Sequence, residues 1–512
     1  MKRIPPAKPS AGPGSLLRVH GTFLATALVC IVVFGWMVTF GTFRFGAEDV
    51  FGSFYDHQAA AWLQGRWDVP EPALSGEAFI VDGKVYGYFG PTPALMRLPF
   101  VLLGVGFAKV TRLLMIFDYA ACLAGAYALL WLAVRCRHAL AVPSRWAVVV
   151  FTTTVGLGST VFFLGSRAYV YHEAILCGLA YALFATYSAL RYWQAPTSRW
   201  WLIALIVGIL AVHARAPIGL FALCVLGSAA ALCLSKSLLA GDGKRGGLAR
   251  IVRTAGEWPG LPPNLGPAGS YKTHLAIGIA SVAGILSFNV VSYLKFGTFE
   301  GCPLRYNVQY TPEKLAVLEY RNFHPGNLRF NTDAYLLRPS FSLSARFPYV
   351  YREYLDRKKY PASRMAYRDQ TLAMPWSMPA LFAFATAGCA LAAFTIPVFR
   401  PPIVLLGIAA IPAALAMLTA VAVTQRYTAD FCPFLIAAAA FGVATFESSM
   451  VPMRRSIAMI ASLLSAVGVL ITFALTLHNQ REIVWGVPEG TRRDYQLFRA
   501  RVDAFFYDAR AP

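Results

Sequence analysis

Eleven stretches of this chain are too apolar to be left in water. They fall near 21–43, 113–134, 146–165, 174–191, 200–214, 217–234, 275–294, 376–398, 402–423, 429–446 and 456–477. A bilayer core about 30 Å thick is crossed by roughly 20 apolar residues in a helix. Backbone polar groups must be satisfied inside such a segment, so each window reads as an α-helix. The chain is therefore expected to be an all-α polytopic membrane protein with about eleven transmembrane helices. Composition agrees, with 57% hydrophobic and only 14% charged residues over 512 positions. Soluble domains hold about 45–50% and about 25%. That excludes an ordinary soluble enzyme, a disordered chain and a secreted disulfide scaffold. The first window carries no charge from Gly21 to Phe43 and lacks an A-x-A exit, so it reads as a retained helix, not a cleaved signal.

Forty-six Lys+Arg against 25 Asp+Glu give a net charge of +21. No helix-turn-helix, RNA-recognition or zinc-finger pattern accompanies it, so no nucleic-acid partner is expected. The cations instead follow the positive-inside rule. With the N-terminus inside, every expected inner segment is basic, including Arg135, Arg137 and Arg145, then the 235–274 loop, then Arg454 and Arg455. Short outer loops hold single cations, Arg167, Arg215 and Arg426. The 200–214 and 217–234 windows are split at Pro217, which disfavours helix at Ala216. The nine cysteines lie mostly in apolar runs and show no CxxC spacing, so neither structural zinc nor a disulfide framework is implied.

The expected layout is a seven-helix module over 1–294, with an outer loop 44–112 and an inner Gly/Pro-rich connector 235–274. A second outer loop 295–375, four helices over 376–477 and an outer tail 478–512 follow. Loop 44–112 looks structured. Val50–Gly65 has Phe51, Phe54, Tyr55, Ala59, Trp62 and Leu63 on helical spacing, which predicts an amphipathic helix at the membrane surface. Asp82-Gly83 between alternating apolar residues predicts a β-hairpin. Pro99 interrupts any single long helix in ALMRLPFVLLG.

Ionisable residues near lipid are costly and point to function or pairing. The acids so placed are Glu48, Asp49, Asp56, Asp118 and Glu173, with His57 and His172 beside them. Each also has an ordinary reading: Asp49 as a helix cap, Asp56 on a wet helix face, Asp118 as a structural pair. Arg97, Arg215 and Arg426 sit at the outer face, where a guanidinium can clamp a phosphate bidentately or merely snorkel to headgroups.

The stretches YDHQAAAWLQGRWDVP and EAFIVDGKVYGYFGPTPALMRLPF resemble the first periplasmic loop of bacterial GT-C class membrane glycosyltransferases of the dolichyl-phosphate-mannose transferase type. SYLKFGTFEGCPLRY and QRYTADFCPFLIAAAA resemble their later segments, and the layout is similar. The resemblance implies sugar transfer from a polyprenyl-phosphate donor at the outer face of a bacterial cytoplasmic membrane, with inversion. It implies an acidic base in the first loop, Asp56 or Asp49, and a donor phosphate held by Arg215, Arg426, Tyr427 and Arg97. Glu48, His57, His172 and Glu173 are the expected acceptor or sugar contacts. The family's acidic pair is reversed here, as Glu48-Asp49. No cofactor is required, though a divalent metal near Asp49 and Glu173 stays open. The acceptor is a saccharide, lipid or protein. A transporter or flippase for a lipid-linked saccharide is the alternative and predicts paired interrupted spans. A non-catalytic envelope subunit is a third.

Overall fold

A computed structural model describes residues 13–241, 271–343, 348–448, 451–480 and 489–506. The chain opens with α1 (Pro13–Val38), then α2 (Phe54–Trp62), the strands β1 (Phe79–Val81) and β2 (Lys84–Tyr86), and α3 (Thr92–Leu102). The helices α4 (Thr111–Arg137), α5 (Arg145–Gly156), α6 (Thr160–Phe163), α7 (Val170–Gln194), α8 (Ser198–Ala214), α9 (Ala216–Gly241) and α10 (Tyr271–Phe296) complete the first half. A second outer segment carries β3 (Phe341–Leu343), β4 (Val350–Arg352) and β5 (Tyr367–Arg368). Then come α11 (Pro379–Thr395), α12 (Arg400–Thr419), β6 (Ala422–Val423), α13 (Cys432–Ser448), α14 (Val451–Gln480) and α15 (Glu489–Phe506).

All eleven apolar windows are helical, but they do not span alike. Among the described residues, eight helices are long and apolar enough to cross a membrane, and the α5–α6 pair, bent by 44°, makes a ninth. Ser144 and Ser159 cap the two halves of that pair by accepting from Ala147 N and Val161 N. Helices α8 and α11 have 17 residues each, about 25 Å at 1.5 Å per residue. That falls short of the roughly 30 Å core. The expected count of eleven is thus eight or nine by length.

Burial sorts the helices. In the most apolar windows, 83% of α7 and 89% of the Gln425–Glu447 segment are buried, against 22% of α10 and 28% of α14. Helix α10 instead exposes Leu275, Ile279, Val282, Leu286, Val290 and Tyr293 at helical spacing, the stripe a lipid-facing helix needs. The α8–α9 break falls at Arg215, which is extended (φ −148°, ψ 105°). Pro217 follows in the first turn of α9, where its missing N–H costs nothing. The two helices fold back closely because Gly219 lies against Val212; a Cβ there would overlap the Val212 backbone.

The first outer loop has its own small core. Phe54, Tyr55, Ala59, Leu74, Phe89 and Ala94 close on Val170, Tyr171 and Ala174 of α7. The hairpin stands as expected, pairing Phe79 with Tyr86 and Val81 with Lys84. Asp82 (φ 49°) and Gly83 (φ 74°) take the two left-handed turn positions. The helix before it differs from expectation. It is nine residues long, and Phe54, Tyr55, Asp56, Gln58, Ala59 and Ala61 are all buried, so it is an internal piece, not an amphipathic surface helix. Asp49 lies before it, beyond a turn at Phe51 (φ 54°), so Asp49 and Asp56 do not share one helix. Pro99 sits inside α3, which ends three residues later.

The two long loops stitch together at one end of the bundle. Val308 N donates to Ala78 O (3.1 Å), joining the two long loops. Strand β5 pairs in parallel with β6, Tyr367 with Ala422. Arg44, just past α1, pairs with Asp494 of α15 (3.1 Å), so the C-terminal helix lies at the same end. Most of the connector expected at 235–274 lies outside the described residues.

Candidate functional site

The sequence candidates divide between two places. The first is a set of closed ion pairs beneath loop 44–112. Arg97, fully buried, donates through Nη1 to both oxygens of Asp56 (3.2 and 3.1 Å). Its Nη2 donates to Glu173 Oε1 (2.6 Å) and Thr111 Oγ1 (3.1 Å). Asp56 also accepts from Ala108 N (2.9 Å). Burial opposes the charge on Arg97, but Glu173 and Asp56 outweigh it and raise its pKa. Asp49 accepts from Arg167 Nε (3.1 Å) and Nη2 (2.7 Å), from Val50 N (2.7 Å) and from Ala168 N (3.1 Å). Burial pushes that carboxyl up; Arg167 more than offsets it and holds the pKa below the ordinary 3.8.

In this structure these acids are held in buried ion pairs. Both expected bases are buried, at 2% exposure for Asp56 and 6% for Asp49, and neither lines a cleft. The wet-face reading of Asp56 and the helix-cap reading of Asp49 also give way to these pairs. Glu173 is turned to Arg97. His172 is buried, with Nδ1 against Leu164 O (3.0 Å) and Arg167 O (3.2 Å). His57 packs edge-on to Phe107 at 4.7 Å, and burial lowers its pKa against the pull of Asp56. Glu48 is exposed beside Lys109 (3.7 Å). Among the described residues no three His, Cys, Asp or Glu side chains gather as a metal site, and Asp49 and Glu173 face different arginines.

The second place is a cleft of about 530 Å³ at the same end of the bundle. Loop 44–112 supplies Glu77, Phe79 and Tyr88 to it, and the start of α7 supplies Tyr171, with Tyr169 just before it. The α8–α9 junction adds Arg215, α10 adds Phe288 and Asn289, and the second outer segment adds Asn307, Tyr310 and Lys314. Arg426 and Tyr427 close the wall. Three of the residues expected at a phosphate thus meet here, and Arg97 does not.

Local sequence explains how. In Gln425–Phe431, a 3-10 segment, Gln425 accepts from Leu372 N (2.7 Å) and donates to Leu372 O (3.3 Å). That fixes the segment and sends Arg426 into the cleft. One turn on, Asp430 accepts from Arg215 Nε (2.8 Å) and Nη2 (2.7 Å), a bidentate pair. Arg215 is disfavoured by burial, yet Asp430 prevails and raises its pKa. Tyr427 is shared, its ring centroid 4.8 Å from the Arg215 guanidinium and 5.4 Å from that of Arg426.

Arg426 itself has no carboxylate partner among the described residues. Its guanidinium packs 4.4 Å from the Tyr171 centroid, and its Nε is buried without a hydrogen bond. Aromatic faces hold a cation but do not neutralise it. A guanidinium without a carboxylate beside an open cleft has the hydrogen-bonding geometry to pair with an anion.

Sequence reasoning missed Glu77, Tyr88, Tyr169, Tyr171 and Lys314 in this cleft. The aromatic run Val85–Phe89 at the hairpin exit was the available signal for Tyr88. Glu77 carried none beyond its nearness to that hairpin.

No protein-family model matches the chain, and no curated protein matches it. Among solved structures it is similar to the crystal structure of ArnT from Cupriavidus metallidurans bound to undecaprenyl phosphate. The identity is 13% and the TM-score 0.39, over 96% of this chain and 79% of that one.

Proposed function

We propose that this chain is a membrane glycosyltransferase that moves a sugar from a polyprenyl-phosphate donor to an acceptor at the outer face of a bacterial cytoplasmic membrane. In this reading the N-terminus is inside, the C-terminus is outside and the cleft faces outward. The observation that carries it is Arg426, a cation without a carboxylate in a tyrosine-lined cleft at one end of a membrane bundle. A lipid phosphate supplies the missing partner. Saccharide rings stack well on phenol faces, and the cleft has several.

The chemistry assigned to these residues is electrostatic. The donor carries one phosphate charge, and its leaving group carries two. Arg426 gains most from the second charge, so it favours the transition state over the bound donor. Arg215, already paired with Asp430, holds Tyr427 in place and stiffens that wall. The anomeric carbon is attacked from the side opposite the phosphate, which inverts it. Arg97, Asp56, Arg167 and Asp49 hold loop 44–112 on the bundle. A transporter reading expects interrupted spans in pairs; the described residues have one bent pair, α5–α6.

The test is binding of tritiated undecaprenyl phosphate to the full chain in nanodiscs. Arg426→Ala should weaken it about 10–100-fold, the worth of a charged hydrogen bond. Lys should restore part, since it keeps the charge and loses the fork. Absence of saturable binding by the unmodified protein would sink the reading. Reporter fusions near residue 255 and at the C-terminus should report opposite sides; a shared side rejects the orientation.

A further inference from the structure

A transferase of this kind needs an acid within reach of the acceptor, and the expected acids are locked away. Only two carboxylates among the described residues line the cleft, Glu77 and Glu300. Glu300 is exposed and paired with Arg305 at 2.8 Å. Glu77 is half-buried and has no cation partner among the described residues. Its Oε1 accepts one long bond from Gln309 Nε2 (3.3 Å), which leaves most of its acceptor capacity open.

Its position is built, not incidental. Glu77 ends a 3-10 turn, Ser75–Glu77, closed by Glu77 N donating to Leu74 O (2.9 Å). The next residue, Ala78, accepts from Val308 N, and Phe79 bridges to Asn307. A Cβ on Gly76 would stand 3.3 Å from Gln309 Nε2, so the turn lies directly on that amide. Both outer loops therefore clamp the backbone that aims Glu77. Tyr169 lies within electrostatic reach of both Glu77 and Arg426. Burial chiefly raises its pKa, with Arg426 opposing and Glu77 adding. The cleft thus holds two cations without a carboxylate partner among the described residues, Arg426 and Lys314, the latter over the Tyr310 ring at 4.1 Å, and one carboxylate without a cation, Glu77.

We infer that Glu77 is the catalytic base that takes the acceptor's proton, the role the sequence assigned to Asp56 or Asp49. This rests on the transferase reading above. The acceptor O–H proton passes to the Glu77 carboxylate as the acceptor oxygen bonds to the anomeric carbon. The bond from that carbon to the phosphate oxygen breaks, and its electron pair leaves with the polyprenyl phosphate, now a dianion facing Arg426. Protonated Glu77 returns its proton to water through the open side of the cleft.

The experiment uses the full chain in nanodiscs with membranes of the source cell charged with tritiated sugar nucleotides, so that no donor sugar is presupposed. Undecaprenyl phosphate binding is measured in parallel. Glu77→Gln should retain that binding within a few-fold and lose about 10²–10⁴-fold of transfer, the usual share of a general base. Glu77→Asp, which retracts the carboxylate, should fold if Gln does not and should cut transfer by at least about 10-fold. Transfer within a few-fold of normal in either variant overturns the assignment while leaving the transferase reading intact. No undecaprenyl phosphate binding by the unmodified protein overturns that reading, and the assignment of Glu77 with it.

Discussion

Arg97 and Arg426 are the same residue type, at the same end of one bundle, in opposite electrostatic states. Arg97 is fully buried and met by two carboxylates, a threonine hydroxyl and no open space. Arg426 is half-buried between aromatic rings, with no carboxylate partner among the described residues and a cleft in front of it, while an Nε without a hydrogen bond is common to both. Burial alone does not distinguish a binding cation from a structural one. What separates them is whether the protein has already supplied the counter-charge. A guanidinium already met by carboxylates has little to offer a phosphate, whereas one without them beside open space can take an anion.

The largest expected effect comes from breaking the satisfied site. Arg97→Met leaves Asp56 and Glu173 buried without a cation and should cost about 3–5 kcal/mol of stability. Thermal unfolding in detergent checks it, and a near-normal melting point would mean that Arg97 is not structural. By contrast, Arg426→Met should leave unfolding within about 0.5 kcal/mol of normal, as expected where no partner is orphaned.

A subtler change converts one class into the other. Asp430→Asn removes the carboxylate from Arg215 and gives the cleft a second free guanidinium. Undecaprenyl phosphate binding should tighten by about 3–10-fold, from one further charge-assisted contact, while thermal stability falls. Unchanged affinity would show that Arg215 does not face the ligand.

The pair Asp49–Arg167 predicts a pH signature. Its carboxyl has a lowered pKa in the folded protein. Its stabilisation is therefore complete above the ordinary value of 3.8 and is lost as pH falls through the lower folded value. Asp49→Asn should be clearly less stable than the unmodified protein at pH 7. The gap should narrow only below about pH 4. A gap that closes between pH 5 and 7 would mean that the carboxyl is not held by Arg167. The smallest effect belongs to Tyr427→Phe, which keeps the ring that both guanidiniums share; binding should change by less than about 3-fold.

Much of this was legible in the chain because it rests on local patterns. Apolar windows located every long apolar helix and Asp82-Gly83 located the hairpin, but the polar helix α15 (Glu489–Phe506) was not expected in the 478–512 tail. Of the three lone cations expected in short loops, Arg215 and Arg426 line the cleft, while Arg167 pairs with Asp49 instead. Partner choice was not legible. Nothing near Asp56 announces that Arg97 will bridge it to Glu173, because those contacts join α2, α3 and α7 in space. The same holds for Asp430, whose spacing from Arg426 looks like an ordinary helix start. Glu77 carries no local signal, because the cleft is formed where the hairpin meets a segment more than 200 residues later.

Sequence separation also sets an order of arrival. Asp56 and Arg97 are 41 residues apart, and Arg97 and Glu173 are 76 apart. Arg215 and Asp430 are 215 apart, and Arg44 waits 450 residues for Asp494. At about 5–20 residues per second of synthesis, the first arginine can be neutralised tens of seconds before the second meets its acid. During that interval Arg215 is as uncompensated as Arg426 later remains. The nascent first half thus presents a bare cation at one end of the bundle, and the ribosome must deliver the last third of the chain before the cleft acquires its far wall.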